Sequence, residues 1–259
     1  MNATRMPAAF IGHGSPMNAL EPNRHTEAWS AFAQSAPTPR ALLVVSAHWY
    51  INASAVTAMS APRTIHDFFG FPKQLFDLEY PAPGLPELAD EIAAVAEPIW
   101  IGKDLDSWGL DHGTWSVLCH MYPKAEIPVV QLAINAAQPL EYHVALGAAL
   151  APLRDAGVMI IGSGNVVHNL GMLDFSDPDA GFDWALRFNE KAKELVATKP
   201  GDAASLGADA DYRKSAPTPD HFIPFLYFAG LAAAGSTTAE VITDGYYAGS
   251  LSMTSWSLA

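Results

Sequence analysis

The feature that most constrains this chain is a recurring unit: a short uncharged apolar run that stops at a small residue, followed by a segment with helical spacing. Pro7-Ala8-Ala9-Phe10-Ile11 ends at Gly12, and Ala41-Leu42-Leu43-Val44-Val45-Ser46 is continuous and β-branched toward its end. Ile127-Pro128-Val129-Val130-Gln131-Leu132 and Val158-Met159-Ile160-Ile161 repeat the form, Pro128 marking either a strand start or an edge. Runs that are apolar on both sides read as strands buried on both faces, the pattern of a parallel sheet. Between them, residues 23–35, 85–97, 114–121 and 140–156 read as helices, with Pro86 in a first turn and Gly157 closing the last. Residues 182–198 set Ala185, Phe188, Ala192, Leu195 and Val196 against Arg187, Glu190, Lys191 and Glu194, which predicts a surface helix.

Strand, helix and second buried strand imply parallel pairing with a right-handed crossover. The expected fold is α/β: a single domain over residues 1–259, with a central, largely parallel mixed sheet flanked by helices on both faces. Residues 240–257 read as extended segments that add antiparallel strands to one edge. The stretch 60–84 fits no element. Four prolines and five aromatic residues there predict a functional wall or a packed surface loop.

Composition removes whole classes of function. With 14 Lys+Arg against 27 Asp+Glu, the net charge of -13 repels phosphate backbones and anionic lipid, so no nucleic-acid or membrane partner is expected. Residues 222–235 are the longest uncharged apolar stretch and fall short of the ~20 residues a spanning helix needs. Residues 1–5 lead into an apolar segment too short for a secretory signal, which predicts a cytoplasmic protein. Cys119 is the only cysteine, so no disulfide or thiolate metal cluster can form within the chain.

Attention therefore falls on the nine histidines. His13 follows the first strand in Gly12-His13-Gly14-Ser15-Pro16, His48 follows the second in Ser46-Ala47-His48-Trp49, and His168 lies beyond the strand that leads into Gly162-Ser163-Gly164-Asn165. Ligands of open α/β sheets bind in the crevice past the strand carboxyl ends, so the active site is expected there. Three imidazoles delivered to it can share one ion, and imidazole suits iron, zinc, copper and nickel. His112 precedes a helix, whose N-terminal amides favour a neutral ring able to accept a proton, and His221 opens the apolar 222–235 segment. His25, His66, His120 and His143 carry no assignment, His25 and His143 falling in surface helices. A third dinucleotide-binding glycine, a Walker lysine, a G-x-S-x-G elbow and a His-Glu-x-x-His helix are all absent from the sequence.

Taken in order, Gly-His13-Gly-Ser-Pro, Ser-Ala-His48-Trp, Leu110-Asp111-His112-Gly113-Thr114-Trp115, Gly-Ser-Gly-Asn-x-x-His168-Asn169 and His221-Phe-x-Pro resemble the extradiol ring-cleavage dioxygenases of the DOPA 4,5-dioxygenase type. These belong to the class III, LigB-like superfamily, and the resemblance runs from residue 10 to about 230. It implies an oxidoreductase that inserts O2 into a catechol to give a ring-opened semialdehyde. It also implies His13, His48 and His168 as metal ligands, His221 as a further histidine at the metal or a catalytic group, and His112 as the acid/base. Fe(II) is the cofactor expected for activity, with Zn(II) the other ion such a site would hold. Neutral imidazoles would leave the ion's charge uncompensated, favouring a chelating catecholate, and Phe68, Phe69 and Phe71 would wall the aromatic ring. A carboxylate-binding residue is not identifiable, Arg63 being the one candidate. Two other functions suit the same residues: a zinc-dependent hydrolase or amidase, and a non-catalytic metal-binding protein of the same fold.

Overall fold

The apolar runs become the middle of an eight-stranded sheet. The computed structural model describes residues 5–259; residues 1–4, on which part of the leader reading rests, lie outside the described residues. The strands are β1 (Ala8–Gly12), β2 (Ala41–Ile51), β3 (Ala55–Thr57), β4 (Gly102–Asp104), β5 (Val129–Asn135), β6 (Val158–Gly164), β7 (Glu240–Thr243), β8 (Tyr246–Tyr247), β9 (Leu251–Ser252) and β10 (Ser255–Leu258). The helices are α1 (Arg24–Ser35), α2 (Lys73–Phe76), α3 (Pro86–Ala96), α4 (His112–Met121), α5 (Leu140–Ala149), α6 (Pro152–Asp155), α7 (Asp183–Thr198), α8 (Tyr212–Ser215) and α9 (Ile223–Gly235).

Spatial order in the sheet is β4-β3-β5-β2-β6-β1-β10-β7. The centre, β5-β2-β6-β1, is parallel throughout. β10 and β7 extend it antiparallel beyond β1, as expected for the C-terminal segments. Side chains alternate between two cores, because successive residues of a strand point to opposite faces. Ala8, Phe10, Leu43 and Val45 pack beneath α3, α5, α7 and α9, whereas Ala9, Ile11, Leu42 and Val44 pack beneath α1, α4 and the 60–84 stretch. α9 is apolar on every side because it is enclosed, and its residues from Ile223 to Ala232 are all buried.

Three expectations are corrected, and two short strands are additional to those expected. The 140–156 helix breaks into α5 and α6 at Pro152, which offers no N–H to the preceding turn. β2 runs on to Ile51, so His48 lies within the strand rather than after it, where the pairing to β5 shifts register between Val45 and Tyr50. β3 and β4 had no forecast: each has three residues, and Gly102-Lys103-Asp104 carries no apolar pattern. His25 and His143 are buried, not on the surface. Pro128 marks a strand start, since its carbonyl accepts the Leu42 N–H at 2.8 Å and β5 lies inside the sheet.

The 60–84 stretch, expected to fit no element, contains the one-turn helix α2 and is pinned as a wall. Ile65 N–H donates to the Leu110 carbonyl at 2.7 Å, Trp115 Nε1–H to the Ile65 carbonyl at 2.9 Å and Tyr80 Oη–H to the Tyr122 carbonyl at 2.9 Å. Among the described residues, no helix is long and apolar enough to cross a membrane.

Candidate metal centre

Five histidines from five chain segments meet at the carboxyl ends of β1, β2 and β6. His13 leaves β1 with its N–H donating to the Gly164 carbonyl at 3.1 Å, and Gly14 turns the chain at φ 63°. His48 projects from the irregular part of β2. His112 is the first residue of α4, whose N-cap Asp111 accepts the Thr114 N–H at 3.1 Å and the Ser46 hydroxyl at 2.7 Å. The His221 carbonyl accepts the Asn165 N–H at 2.8 Å, which brings the chain just before α9 against the end of β6. That approach needs glycine at 164, where a Cβ would stand 2.3 Å from the His221 carbonyl oxygen. His168 is held by its N–H donating to the Ser215 carbonyl at 2.7 Å.

The rings converge. Centroids of His13 lie 5.2 Å from His48, 6.0 Å from His112 and 5.3 Å from His221. His48 stands 3.8 Å from His112 and 4.9 Å from His221, and His168 stacks on His221 at 3.5 Å. One nitrogen each from His13, His48 and His112 lies within 4.8 Å of the other two, a triangle able to hold an ion. His168 stands outside that triangle, with His221 as its neighbour.

Hydrogen bonds set which nitrogen of each ring is free. Ser163 Oγ–H donates to the Gly113 carbonyl at 2.6 Å, so toward His13 Nδ1, 2.9 Å away, it can only accept. His13 is therefore protonated on Nδ1. His48 Nδ1–H donates to Asp67 Oδ2 at 3.2 Å, His112 Nδ1–H to Asp67 Oδ1 at 3.0 Å, and His221 Nδ1–H to Asp220 Oδ2. In its neutral form each of these four rings then presents an Nε2 lone pair. Metal-bound histidines are oriented by such partners as a rule.

His13 Nε2 and His48 Nε2 stand 3.3 Å apart. Two lone pairs at that range repel unless a cation lies between them. Nitrogens about 2.05 Å from one ion at the tetrahedral angle are separated by about 3.3 Å, so the pair fits a divalent transition metal. An all-imidazole donor set accepts iron or zinc alike. Asp67 and Asp220 stand directly behind the rings, so an ion's charge is compensated one residue further out, contrary to expectation.

Electrostatics agree. Burial, reinforced by the neighbouring imidazoles, drives His13 and His221 well below the ordinary histidine value. Burial lowers His168 to about 4, and burial with the His48 charge lowers His112 against the pull of Asp67. His48 moves the other way: burial opposes charge there, but the Asp67 hydrogen bond and the carboxylates of Asp111, Asp67 and Asp220 prevail. Without a metal, a proton on His48 is what can relieve the contact with His13, so cation and proton compete for one place.

The remaining candidates separate. Phe68 sets its ring edge-on to His112 at 5.5 Å, braced by Phe71 at 5.4 Å and Phe76 at 4.8 Å. Phe69 is 91% exposed and forms no part of the wall in this conformation. Arg63 donates to the Ser107 carbonyl at 2.8 Å on the exterior. The four unassigned histidines have partners of their own: Thr243 for His25, the Leu78 carbonyl for His66, the Asn18 carbonyl for His120 and Tyr227 for His143. Asp67, Ser163, Asp220 and Gly113 carry no role in the sequence reading, although Ser163 and Gly113 lie inside its histidine motifs and Asp220 is adjacent to His221. Only Asp67, in the 60–84 stretch, has no such local signal.

A mixed, mostly parallel α/β sheet with a three-histidine metal-binding cluster at its strand ends defines an active site of the non-haem extradiol dioxygenase kind. The family described as the catalytic LigB subunit of aromatic ring-opening dioxygenase matches residues 7–258, and the chain belongs to it. A "4,5-DOPA dioxygenase extradiol" of Escherichia coli K12 is 46% identical over 98% of this chain and 95% of that protein. One of the same description from Beta vulgaris is 36% identical over 95% and 94%. The crystal structure of an uncharacterized Escherichia coli K12 protein superposes with a TM-score of 0.85 at 39% identity, covering 98% of this chain and all of that one.

Proposed function

We propose that residues 1–259 act as one catalytic domain that cleaves a DOPA-like catechol with O2, using Fe(II), to give a ring-opened semialdehyde. The observation that carries this reading is the 3.3 Å approach of two Nε2 atoms whose tautomers are both set for metal binding. His13 and His48 are the core ligands, with His168 and His221 completing the set. When bound, Fe(II) supplies chelation of the catecholate and activation of O2, chemistry that imidazole sites with open positions support. Zn(II) would occupy the same nitrogens without redox chemistry.

The chain's own groups handle the proton. With its Nδ1–H retained by Asp67, His112 presents Nε2 to take the proton of a catechol hydroxyl. The imidazolium formed is stabilised by the same carboxylate, and the proton returns to the product oxygen. Acid–base assistance of this kind contributes about 10²–10⁴ in rate. Phe68 offers an apolar edge beside His112, which orients an aromatic ring and excludes water. A cytoplasmic setting suits the reading, since a reducing compartment keeps iron ferrous and Cys119 a free thiol.

Anaerobic loading with Fe(II), then admission of air with DOPA or caffeate, should give stoichiometric oxygen uptake and a yellow product. No uptake over a broad catechol panel at full iron occupancy would overturn the proposal; hydrolysis by zinc-loaded protein without O2 would favour the hydrolase. The triangle His13–His48–His112 favours a second ligand assignment, with His112 as third ligand. Metal stoichiometry separates the two: His112→Ala retains the ion in the first and loses it in the second, and His168→Ala does the reverse.

A further inference from the structure

The 60–84 wall contributes one carboxylate to the centre, and that carboxylate serves two histidines at once. Asp67 Oδ2 accepts from His48 Nδ1–H at 3.2 Å, while Oδ1 accepts from both the ring Nδ1–H and the backbone N–H of His112, each at 3.0 Å. We infer that Asp67 is the positioning residue that sets the tautomers of His48 and His112 together, so that metal retention and proton acceptance depend on one side chain of the loop. The inference rests on the metal-centre reading above.

The asymmetry of the contacts makes it specific. An asparagine at 67 would have one accepting oxygen and one donating NH2. The Oδ1 position faces two donors, one of them a backbone N–H that cannot change, so the amide oxygen must remain there. The NH2 group then faces His48 Nδ1, which can satisfy it only by accepting. The proton of His48 moves to Nε2, and the lone pair directed at the ion is lost. His112 keeps its tautomer. A neutral substitution in a loop should thus disable a strand-borne ligand and spare the nearer base.

The test is titration of metal-free protein with Co(II) at pH 8, together with long-range 1H–15N NMR of the imidazoles. Wild-type protein should show Nδ1–H on both His48 and His112. Asp67→Asn should bind Co(II) 10–100-fold more weakly, as loss of a ligand's orienting partner does, with the proton on Nε2 of His48 and still on Nδ1 of His112. Asp67→Glu should recover most of the affinity, and both metal-free variants should keep the far-UV circular dichroism of the wild-type fold. Wild-type Co(II) affinity in Asp67→Asn, or a wild-type His48 lacking Nδ1–H, overturns the inference. If Asp67→Asn does not fold, the wild-type tautomers and the affinity of Asp67→Glu decide it, a loss as severe as removing His48 counting against. Failure of wild-type protein to bind Co(II) would instead defeat the metal-centre reading, while the tautomer spectrum would still decide the role of Asp67.

Discussion

Gly113→Ala is the sharpest single-atom perturbation the centre allows. A Cβ at 113 would stand 2.6 Å from Ser46 Oγ, 2.7 Å from His48 Cδ2 and 3.3 Å from His13 Cε1. Carbon atoms settle at about 3.5 Å or more, so the His48 ring must retreat by roughly 0.8 Å. Functional constellations tolerate displacements of only about 0.5 Å. The helix itself gains, because alanine is favoured over glycine by up to about 1 kcal/mol, while overpacking costs about 1–3 kcal/mol. The net cost to overall stability should therefore be about 0–2 kcal/mol, with a separate loss falling on the metal. Disturbing the support of a ligand weakens binding about 10–100-fold, or about 1.4–2.8 kcal/mol. Competition with a chelator for Zn(II) or Co(II), alongside metal-free urea melts, reads both quantities. Wild-type metal affinity in Gly113→Ala would refute the claim that the glycine exists to let His13 and His48 approach.

Three further outcomes follow from the packing. Burial pushes the fully enclosed His143 from 6.5 down to about 4; its contribution to stability is complete above pH 6.5 and is lost as the pH falls toward 4, because only the unfolded chain then takes up the proton. Urea melts of His143→Gln should accordingly lose up to about 3 kcal/mol less than wild type between pH 7 and 4, and parallel pH profiles would contradict this. Phe68→Ala should cost about 1–2 kcal/mol and raise KM for a catechol, whereas Phe69→Ala, removing a ring that is 91% exposed, should stay within about 0.5 kcal/mol; equal effects in the two melts would contradict the assigned wall. Arg154 is buried, donating to the Met6 carbonyl at 2.7 Å and the Ala259 carbonyl at 2.6 Å; Arg154→Ala should cost about 3 kcal/mol in urea melts, and a loss below about 1 kcal/mol would show those carbonyls satisfied by other means.

Much of this was legible because the signals are local. A continuous apolar run such as Ala41–Ser46 reads as a strand covered on both faces, and the run that stops at Gly12 announces a strand end, whereas β2 continues past Ser46 to Ile51. The histidines in the carboxyl-terminal part of these strands or beyond it could be assigned to one crevice, because parallel strands deliver their carboxyl ends to one side. Local signals also misled: the helical spacing of residues 140–156 outweighed Pro152, and the short polar β4 had no pattern to read.

Tertiary structure alone decided which nitrogens face one another and in what protonation form. Asp67 comes from a loop without periodicity, and its two oxygens acquire meaning only when His48 from β2 and His112 from α4 arrive on either side. Ser163 holds His13 in its tautomer because the Gly113 carbonyl has already claimed the hydroxyl proton. Residue types and their spacing determine where strands and helices begin, since those depend on neighbours a few positions away. A hydrogen-bond network depends on ångström-scale distances between segments up to about 200 residues apart along the chain, and no linear pattern encodes these.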